Sequence, residues 1–187
     1  MANFVDSPHF AIHDDYYTPK SAWANLAPVL ADMEGYCPSG NKGLKVWEAC
    51  MLGAEKSKSP QYIKEAIPNV VEVHYSTECD CMIQEMGPTD LIITNIPFSL
   101  ELKKSILKRF IEIDRPFITL MNSCNLYSNY MRDIFGENIK YLQVIHPKGK
   151  INYDKLENGE LKPTKNCSFY SVYICYKLNL SPDKLWL

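Results

Sequence analysis

The segment Thr94-Asn95-Ile96-Pro97-Phe98 combines residue types that can hold a flat base carrying an amino group. It directly follows an apolar run, so Asn95 is expected at the end of a buried strand. Pro97 stiffens the turn and removes a backbone donor, which can hold the Asn95 side chain and the Ile96 carbonyl pointing outward together. These two oxygens can accept both hydrogens of an exocyclic amino group, and the Phe98 ring can stack on the base.

This arrangement favours methylation of the amino group of adenine. The lone pair of that nitrogen is delocalised into the purine ring, and hydrogen bonds from both of its hydrogens favour a tetrahedral nitrogen able to attack a methyl group. The alternative is a strand-ending turn in which Asn95 caps the helix that begins near Ser99 and Phe98 belongs to the core. These residues alone leave both interpretations open.

The order of the predicted elements positions this segment. Six predicted strands alternate with helical stretches, which is typical of an α/β fold with a mostly parallel sheet. The strands are expected at 44–50, 69–75, 90–95, 116–121, 139–145 and 168–176, and the helices at 21–33, 59–66, 99–113 and 129–135. In such sheets ligands bind beyond the carboxyl ends of the strands, so the residues that follow 46, 73, 93 and 121 are the candidates for a site.

Two side-chain predictions accompany these elements. The helix 99–113 is amphipathic, with apolar residues every three or four positions and Lys103 off the apolar face. Further along the chain, Tyr127 and Tyr130 either flank an entering base or pack against the core. The sequence leaves both roles open for these two tyrosines.

Length and composition predict one domain spanning 1–187, with an N-terminal arm at 1–15 and a long polar loop at 146–164. The 187 residues are 46% hydrophobic and 22% charged, near the averages of soluble globular proteins, which excludes a disordered or low-complexity chain. The formal net charge is -2. A strongly basic nucleic-acid-binding domain is therefore disfavoured, and only a local basic patch is compatible with this balance.

The cysteines and the hydropathy pattern bear on compartment and metal binding. There are 7 cysteines, and Cys79 and Cys81 have no second pair to complete a zinc site, so no metal is expected. No basic and apolar leader opens the sequence, and no apolar run approaches the ~18–20 residues of a membrane helix. We therefore expect an intracellular protein in a reducing compartment, the cytoplasm or nucleus, without a membrane partner.

Four segments resemble, in the same order, the S-adenosylmethionine-dependent adenine-N6 DNA methyltransferases of the small type found in phages and large DNA viruses. The segments and the family patterns that they resemble are Asp15-Tyr16-Tyr17-Thr18-Pro19 (Y-x-T-P), Val46-Trp47-Glu48-Ala49-Cys50 (the first strand with its acidic end), 90–98 (D-x-x-x-x-N-P-P-F) and, more weakly, 168–173 (the late strand). The resemblance covers roughly residues 14–176, and the third segment is its most specific part.

The resemblance implies a Rossmann-like class I methyltransferase fold, with a mostly parallel sheet, a reversed late strand and helices on both faces. It implies S-adenosylmethionine as cofactor and transfer of a methyl group to the N6 of adenine in nucleic acid, in DNA rather than RNA. The residues that it makes catalytic are Asn95, Ile96, Pro97 and Phe98, and those that it makes cofactor-binding are Tyr17, Thr18, Pro19, Glu48, Gly53, Glu78 and Asp80. An adenine in duplex DNA must leave the base stack, and the 146–164 loop, a homodimer partner or another subunit is expected to read the target sequence.

The chain departs from the family pattern around the cofactor. Leu52 and Ala54 stand where the family has glycines that let the backbone approach the cofactor closely. An acid that binds the ribose hydroxyls is expected at the end of the second strand, and the nearest acids that follow this strand are Glu78 and Asp80. Ile96 replaces the first proline of N-P-P-F, as is common in the ribosomal-RNA adenine dimethyltransferases.

These departures support two alternative functions. A methyltransferase-like domain that has lost cofactor binding and serves as a structural or interaction module is favoured if Leu52 reaches the cofactor cavity. An RNA adenine-N6 methyltransferase is suggested by Ile96. The catalytic interpretation is favoured by the retained Asn95-Ile96-Pro97-Phe98 segment, which an inactive module has no evident need for.

Overall fold

A six-stranded mixed sheet organises the protein. The computed structural model describes residues 16–31, 33, 43–85, 87–165 and 167–187, so the predicted arm at 1–15 lies outside the described residues. The strands are β1 (Leu44–Trp47), β2 (Val70–His74), β3 (Leu91–Asn95), β4 (Phe117–Asn122), β5 (Leu142–Ile145), β6 (Asp154–Glu157), β7 (Glu160–Pro163) and β8 (Ser171–Tyr176). The spatial order in the sheet is β2-β1-β3-β4-β8-β5, and β6 and β7 form a separate hairpin.

The strands β2, β1, β3 and β4 are parallel, and β8 lies antiparallel between β4 and β5. In the parallel part, Val46 pairs with Val73 on one side and with Leu91 on the other. Because the carboxyl ends of parallel strands meet at one edge, the residues after β1, β2, β3 and β4 share that edge. The predicted α/β class, with a mostly parallel sheet and a reversed late strand, is confirmed.

Each central strand buries side chains on both faces of the sheet. In β3, the residues 91–94 are at most 1% exposed, as expected of a strand that is covered on both faces. Ile93 belongs to one apolar core with Trp23 of the first helix, and Ile92 belongs to the other with Phe110 of the longest helix. Helices therefore cover both faces of the sheet, as the resemblance implied.

The helices are α1 (Lys20–Ala24), α2 (Ala27–Leu30), α3 (Ser59–Ala66), α4 (Leu100–Glu112) and α5 (Asn129–Phe135). Short 3₁₀ helices span Ser123–Tyr127, Gly136–Tyr141 and Pro182–Lys184. The helix predicted at 59–66 and the one predicted at 129–135 are confirmed with the same bounds. Among the described residues, no helix is long and apolar enough to cross a membrane.

The single helix predicted at 21–33 is wrong, because the chain forms two short helices there. Pro28 lies in the first turn of α2; it has no N–H to donate and its ring clashes with the carbonyl four residues earlier, so one continuous helix cannot form. The apolar face is nevertheless preserved. Trp23, Leu26 and Leu30 are fully buried against the sheet.

The placement of Lys103 off the buried face of α4 is also wrong. The apolar residues Leu102, Ile106 and Phe110 are buried as predicted, but Lys103 is only 5% exposed. Its ammonium donates a hydrogen bond to Asn125 Oδ1 at 3.2 Å, so a neighbouring segment covers the first turn of the helix. The periodicity of a single helix carries no information about such a neighbour.

The stretch 146–164, predicted as a long polar loop, instead contains the β6–β7 hairpin. Asn158 and Gly159 form its turn with φ values of +53° and +81°, which is typical of the two-residue turns that join hairpin strands. The Asn-Gly pair was the available signal in the sequence. The predicted strand at 139–145 also begins later than expected, since Gly136–Tyr141 forms a 3₁₀ helix.

Candidate functional site

A cavity of about 160 Å³ opens at the carboxyl edge of β1 and β3. Its wall is formed by the segment before α1, the loop between β1 and α3, and the turn after β3. The lining residues are Tyr16, Tyr17, Thr18, Glu48, Cys50, Met51, Leu52, Gly53, Ala54, Ser57, Ser59, Asn95, Ile96, Pro97 and Phe98. The fold thus brings the four residues expected to be catalytic together with four of those expected to bind the cofactor.

Glu48 lies directly after β1 and is only 2% exposed. Its Oε1 accepts a hydrogen bond from the Thr94 hydroxyl and one from the Cys50 N–H, the latter at 3.3 Å. Burial raises the pKa of Glu48 to about 8, although these two hydrogen bonds act in the opposite direction. A buried carboxyl group in a cavity wall, with a pKa near neutrality, can exchange a proton there or pair with a cationic group of a ligand.

Cys50 and Cys81 are packing residues beside Glu48. A hydrogen bond with Cys81, burial and the nearby Glu48 raise the pKa of the Cys50 thiol well above its ordinary value. A thiol with a raised pKa is a poor nucleophile at neutral pH. Cys50, which is half-buried, is therefore a packing residue rather than a nucleophile.

The loop after Glu48 turns close to the end of β2. The Gly53 N–H donates to the Thr77 carbonyl at 3.1 Å, and Gly53 has a φ of +69°, a conformation that favours glycine. Leu52, in contrast, is half-buried and lines the cavity. The cavity volume of about 160 Å³ lies below the roughly 300–1,000 Å³ usual for small-molecule pockets.

Three of the residues expected to bind the cofactor are not among those that line the cavity. Pro19 precedes α1 as its N-cap residue. Glu78 is exposed in the loop after β2, and the Asp80 carboxylate accepts a hydrogen bond from the Met82 N–H at 2.8 Å. Their role in cofactor binding stays a prediction.

Two buried polar atoms in the cavity wall have no hydrogen-bond partner among the described residues. They are Oδ1 of Asn95 and Oγ1 of Thr18. A buried acceptor without a partner costs about 1–3 kcal/mol, so these atoms are the natural contacts for a polar ligand. The alternative in which the Asn95 side chain caps α4 is not supported, since that helix begins without a side-chain cap.

Phe98 lies in a cluster of aromatic rings. Its ring centroid is 5.5 Å from that of Tyr16, 6.0 Å from that of Tyr153 and 5.1 Å from that of Phe169. Such edge-to-face and tilted packing fixes the orientation of the ring. Phe98 and Tyr16 also line a second cavity, so these two rings separate neighbouring spaces.

The β6–β7 hairpin holds the segment before α1 at the site. The Tyr17 N–H donates to the Asp154 carbonyl at 2.9 Å, and the Asp154 N–H donates to the Tyr17 carbonyl at 2.8 Å. Lys155 adds a cation–π contact, with its Nζ 4.5 Å from the centroid of the Tyr16 ring. The segment similar to Y-x-T-P therefore reaches the cavity with support from the hairpin.

The second cavity has a volume of about 570 Å³ and adjoins the first at Tyr16 and Phe98. Its other lining residues come from the start of α4 and from the segment after β4, and are Ser99, Leu100, Lys103, Asn122, Cys124, Asn125 and Ser128. Asn125 organises this wall, because its Oδ1 accepts hydrogen bonds from the Tyr130 hydroxyl at 2.6 Å and from Lys103 Nζ at 3.2 Å.

Several residues of the site are not among those that the sequence predicts. Tyr153 and Phe169, which pack on Phe98, lie in the stretches predicted as a long polar loop and as the last strand. Their hydrophobicity is the signal that the sequence offers. Ser57 and Ser59 line the cavity, but two serines before a helix have no specific signature. The burial of Lys103 had no signal in the sequence.

The chain was compared with known proteins by sequence and by structure. No protein-family model matches the sequence, and no curated protein matches it. A structural match is a protein of Listeria monocytogenes assigned to the class I S-adenosylmethionine-dependent methyltransferases, with a TM-score of 0.54 and 12% identity over 93% of this chain and 65% of that chain. The chain thus spans less than two thirds of that protein.

Two further solved structures overlap with lower scores. One is an S-adenosylmethionine-dependent O-methyltransferase from Thermotoga maritima, with a TM-score of 0.39 and 10% identity over 84% of this chain and 64% of that chain. The other is a protein of Thermoplasma acidophilum assigned as a methyltransferase, with a TM-score of 0.41 and 12% identity over 94% of this chain and 75% of that chain. The fold assignment depends on the Listeria protein: this chain has the fold of the class I S-adenosylmethionine-dependent methyltransferases.

Proposed function

We propose that this protein transfers a methyl group from S-adenosylmethionine to the N6 amino group of adenine in nucleic acid, in DNA rather than RNA. The observation that carries the proposal is Oδ1 of Asn95, a buried acceptor without a hydrogen-bond partner among the described residues. It lies at the carboxyl end of β3 in a cavity wall that also contains Pro97 and Phe98. That is the place where ligands bind in sheets of this kind.

The acceptor amino group donates one hydrogen to Asn95 Oδ1 and the other to the Ile96 carbonyl. These two bonds draw the nitrogen away from conjugation with the ring, so that its lone pair becomes available for attack on a methyl group. The adenine ring lies against Phe98, whose orientation is fixed by Tyr16, Tyr153 and Phe169. Preorganised partners of this kind lower the barrier without reorganising during the reaction.

The residues that line the first cavity fit the methionine end of the cofactor and a loop backbone that runs beside it. Thr18 offers a buried hydroxyl without a described partner, and Glu48 offers a carboxyl group that can pair with an ammonium. Gly53 lets the loop turn close to β2. When bound, S-adenosylmethionine supplies an electrophilic methyl group. We therefore expect Tyr17, Thr18, Glu48 and Gly53 to bind this cofactor.

Target recognition needs parts beyond the two cavities. The connection 146–164, with its β6–β7 hairpin, supplies one candidate surface, because it contacts the segment beside the site. A second copy of the chain or another subunit supplies the rest. The described residues include no second unit large enough to act as a separate recognition domain.

Methyl transfer to matched oligonucleotides tests the proposal. The purified chain is incubated with S-adenosylmethionine carrying a tritiated methyl group and a short DNA that contains adenine, and nucleosides are then identified by mass spectrometry. The control DNA has hypoxanthine in place of adenine, which keeps the purine ring but lacks the amino group. We expect label in N6-methyldeoxyadenosine with the first DNA and none with the second.

Calorimetry on the same preparation separates cofactor binding from chemistry. Micromolar binding of S-adenosylmethionine, roughly -8 kcal/mol, is expected. Binding with methyl transfer to another base, or to hypoxanthine DNA, overturns the assignment of the acceptor. An RNA of the same sequence, methylated in preference to DNA, overturns the choice of DNA.

A second candidate function has a specific observation in its favour. Leu52 lines the first cavity, and the cavity volume of about 160 Å³ is small for a cofactor of this size. On this alternative the domain has lost cofactor binding and acts as a structural or interaction module. No calorimetric binding by the parent chain, together with binding by the variant Leu52→Gly, is the result that supports it.

A further inference from the structure

Two highly exposed tyrosines lie on the segments that border the second cavity. Tyr127 ends the 3₁₀ helix Ser123–Tyr127 and is 89% exposed, and Tyr170 directly precedes β8 and is 65% exposed. A hydrogen bond from the Ser123 N–H to the Tyr170 carbonyl, 2.8 Å long, joins the two segments. Both tyrosines thus belong to segments beside this cavity, and their rings lie largely in solvent.

The exposure separates these rings from the tyrosines that have a packing role. Tyr130 is half-buried, and its hydroxyl donates to Asn125 in the cavity wall. Tyr127 has almost no contact area with the rest of the described chain, so packing does not explain it. A planar, amphipathic ring that is presented to solvent has a face available for a flat partner.

The charges around these rings are favourable for phosphate. Lys150 Nζ lies 5.0 Å from the centroid of the Tyr170 ring. Of the described residues that line the second cavity, Lys103 is the charged one, and the others are neutral. Lys103 is only 5% exposed and is hydrogen-bonded to Asn125, so the contact with phosphate is left to Lys150, which is half-buried beside Tyr170.

We infer that the nucleic acid substrate is single-stranded where it meets the site. On this inference, which rests on the proposed function, the nucleotides beside the acceptor adenine stack on Tyr127 and Tyr170, with a phosphate near Lys150. Stacking on side chains requires bases that are free to leave their neighbours. In duplex DNA the bases are already stacked, and removing the acceptor from the stack costs a few kcal/mol.

Fluorescence anisotropy with labelled oligonucleotides tests the inference. The probes are one adenine-containing sequence as single-stranded DNA, as single-stranded RNA and as the strand of a DNA duplex. We expect the parent chain to bind a single strand at least about tenfold more tightly than the duplex. Each of Tyr127→Ala and Tyr170→Ala should weaken single-strand binding by roughly 5- to 150-fold, the range for loss of one stacked base.

Matched variants make the result specific. Tyr127→Phe keeps the ring and should bind like the parent chain. Tyr141→Ala removes another exposed tyrosine with neighbouring lysines, which lies at the opposite edge of the sheet before β5, and should leave binding unchanged. Tighter binding to the duplex, or equal losses in Tyr141→Ala and Tyr127→Ala, overturns the inference. Preference for the RNA strand over the DNA strand supports it and moves the substrate to RNA.

Calorimetric titration with S-adenosylmethionine distinguishes failure of this inference from failure of the proposed function. The two alanine variants at 127 and 170 should keep the cofactor affinity of the parent chain, since neither tyrosine lines the first cavity. A chain that binds and uses the cofactor on duplex DNA alone refutes the single-stranded substrate and leaves the proposed function intact. A chain that binds single strands through these rings but never binds the cofactor refutes the proposed function alone.

Discussion

The ends of β3 and β1 meet at the same edge of the sheet, yet they differ in their suitability for a ligand. After β3, Asn95 presents a buried oxygen without a described partner, and the Phe98 ring is held by three aromatic neighbours. After β1, Glu48 is already hydrogen-bonded within the protein, and Leu52 lines the cavity where a glycine is expected. The end of β3 therefore leaves a buried acceptor that the described residues do not satisfy, whereas the carboxyl group at the end of β1 is satisfied within the protein.

Position at the carboxyl edge of the sheet is therefore necessary for a binding site of this kind, but it is not sufficient. The sheet order places both loops correctly whatever their sequences, because parallel neighbours end together. The side chains in the loops then decide whether a ligand has room and partners. Changes at Glu48, Asn95, Leu52 and the two acids after β2 test which strand end limits the function. They are described in order of decreasing expected effect.

The pH dependence of stability probes the β1 side. Burial raises the pKa of Glu48 from 4.5 to about 8, so the folded chain keeps a proton that the unfolded chain loses at lower pH. Stability should therefore fall as pH rises from about 4.5 to about 8, by about 5 kcal/mol at most from this group. In Glu48→Gln that dependence disappears, and the variant should be the more stable chain at pH values above about 8.

Urea unfolding of both proteins across this pH range measures the difference. Other titrating groups affect parent and variant alike, so the gap between the two curves reports Glu48. If the free energies of unfolding of the two proteins change with pH in parallel, the pKa of Glu48 is not raised. Glu48 is then an ordinary ionised acid.

The variant Asn95→Ala probes the β3 side. We expect methyl transfer to fall about 100- to 1,000-fold, as when one preorganised hydrogen-bond partner of a reacting group is removed. Cofactor affinity should change by less than about twofold, because the lost oxygen serves the acceptor. Single-turnover rates and calorimetry give the two quantities.

The exposed Asn129, which is not a lining residue of either cavity, provides the matched control. Asn129→Ala should retain the activity of the parent chain. A similar loss of activity in both asparagine variants removes the special role of Asn95 at the end of β3.

The variant Leu52→Gly tests whether the first cavity is too small for the cofactor. Removing the side chain widens the first cavity, so the affinity for S-adenosylmethionine should rise about tenfold, which corresponds to about 1.4 kcal/mol. Leu52→Ala, which keeps the β-carbon, should give a smaller gain. Calorimetry on the three chains tests this order, and equal affinities show that Leu52 does not limit the cavity.

The smallest effect is expected at the loop after β2. Neither Glu78 nor Asp80 is among the residues that line the first cavity, so Glu78→Ala and Asp80→Asn should change cofactor affinity by less than about twofold. Asp80→Asn keeps an acceptor for the Met82 N–H and leaves the loop intact. A loss of tenfold or more in either variant assigns that acid to the cofactor ribose after all.

Much of the fold could be predicted from local patterns. The all-apolar run before Asn95 predicts a central strand because only such a strand is buried on both faces, and the 59–66 and 129–135 helices follow from their spacing. The errors come from competing local signals, such as Pro28 within a helical pattern and Asn158-Gly159 within a polar stretch. These signals were present in the sequence and were outweighed by the surrounding pattern.

The site could be predicted only in part. The apolar runs in the sequence predict which segments are strands, and they put Glu48 and Asn95 close to the ends of two of them. The strand order that makes those ends neighbours does not follow from the runs. Tertiary packing decides that Lys103 is buried, that Leu52 lines the first cavity, and that neither Glu78 nor Asp80 does. The physical reason is that burial and cavity shape depend on contacts between segments distant in sequence, whereas periodicity records only the neighbours along one element.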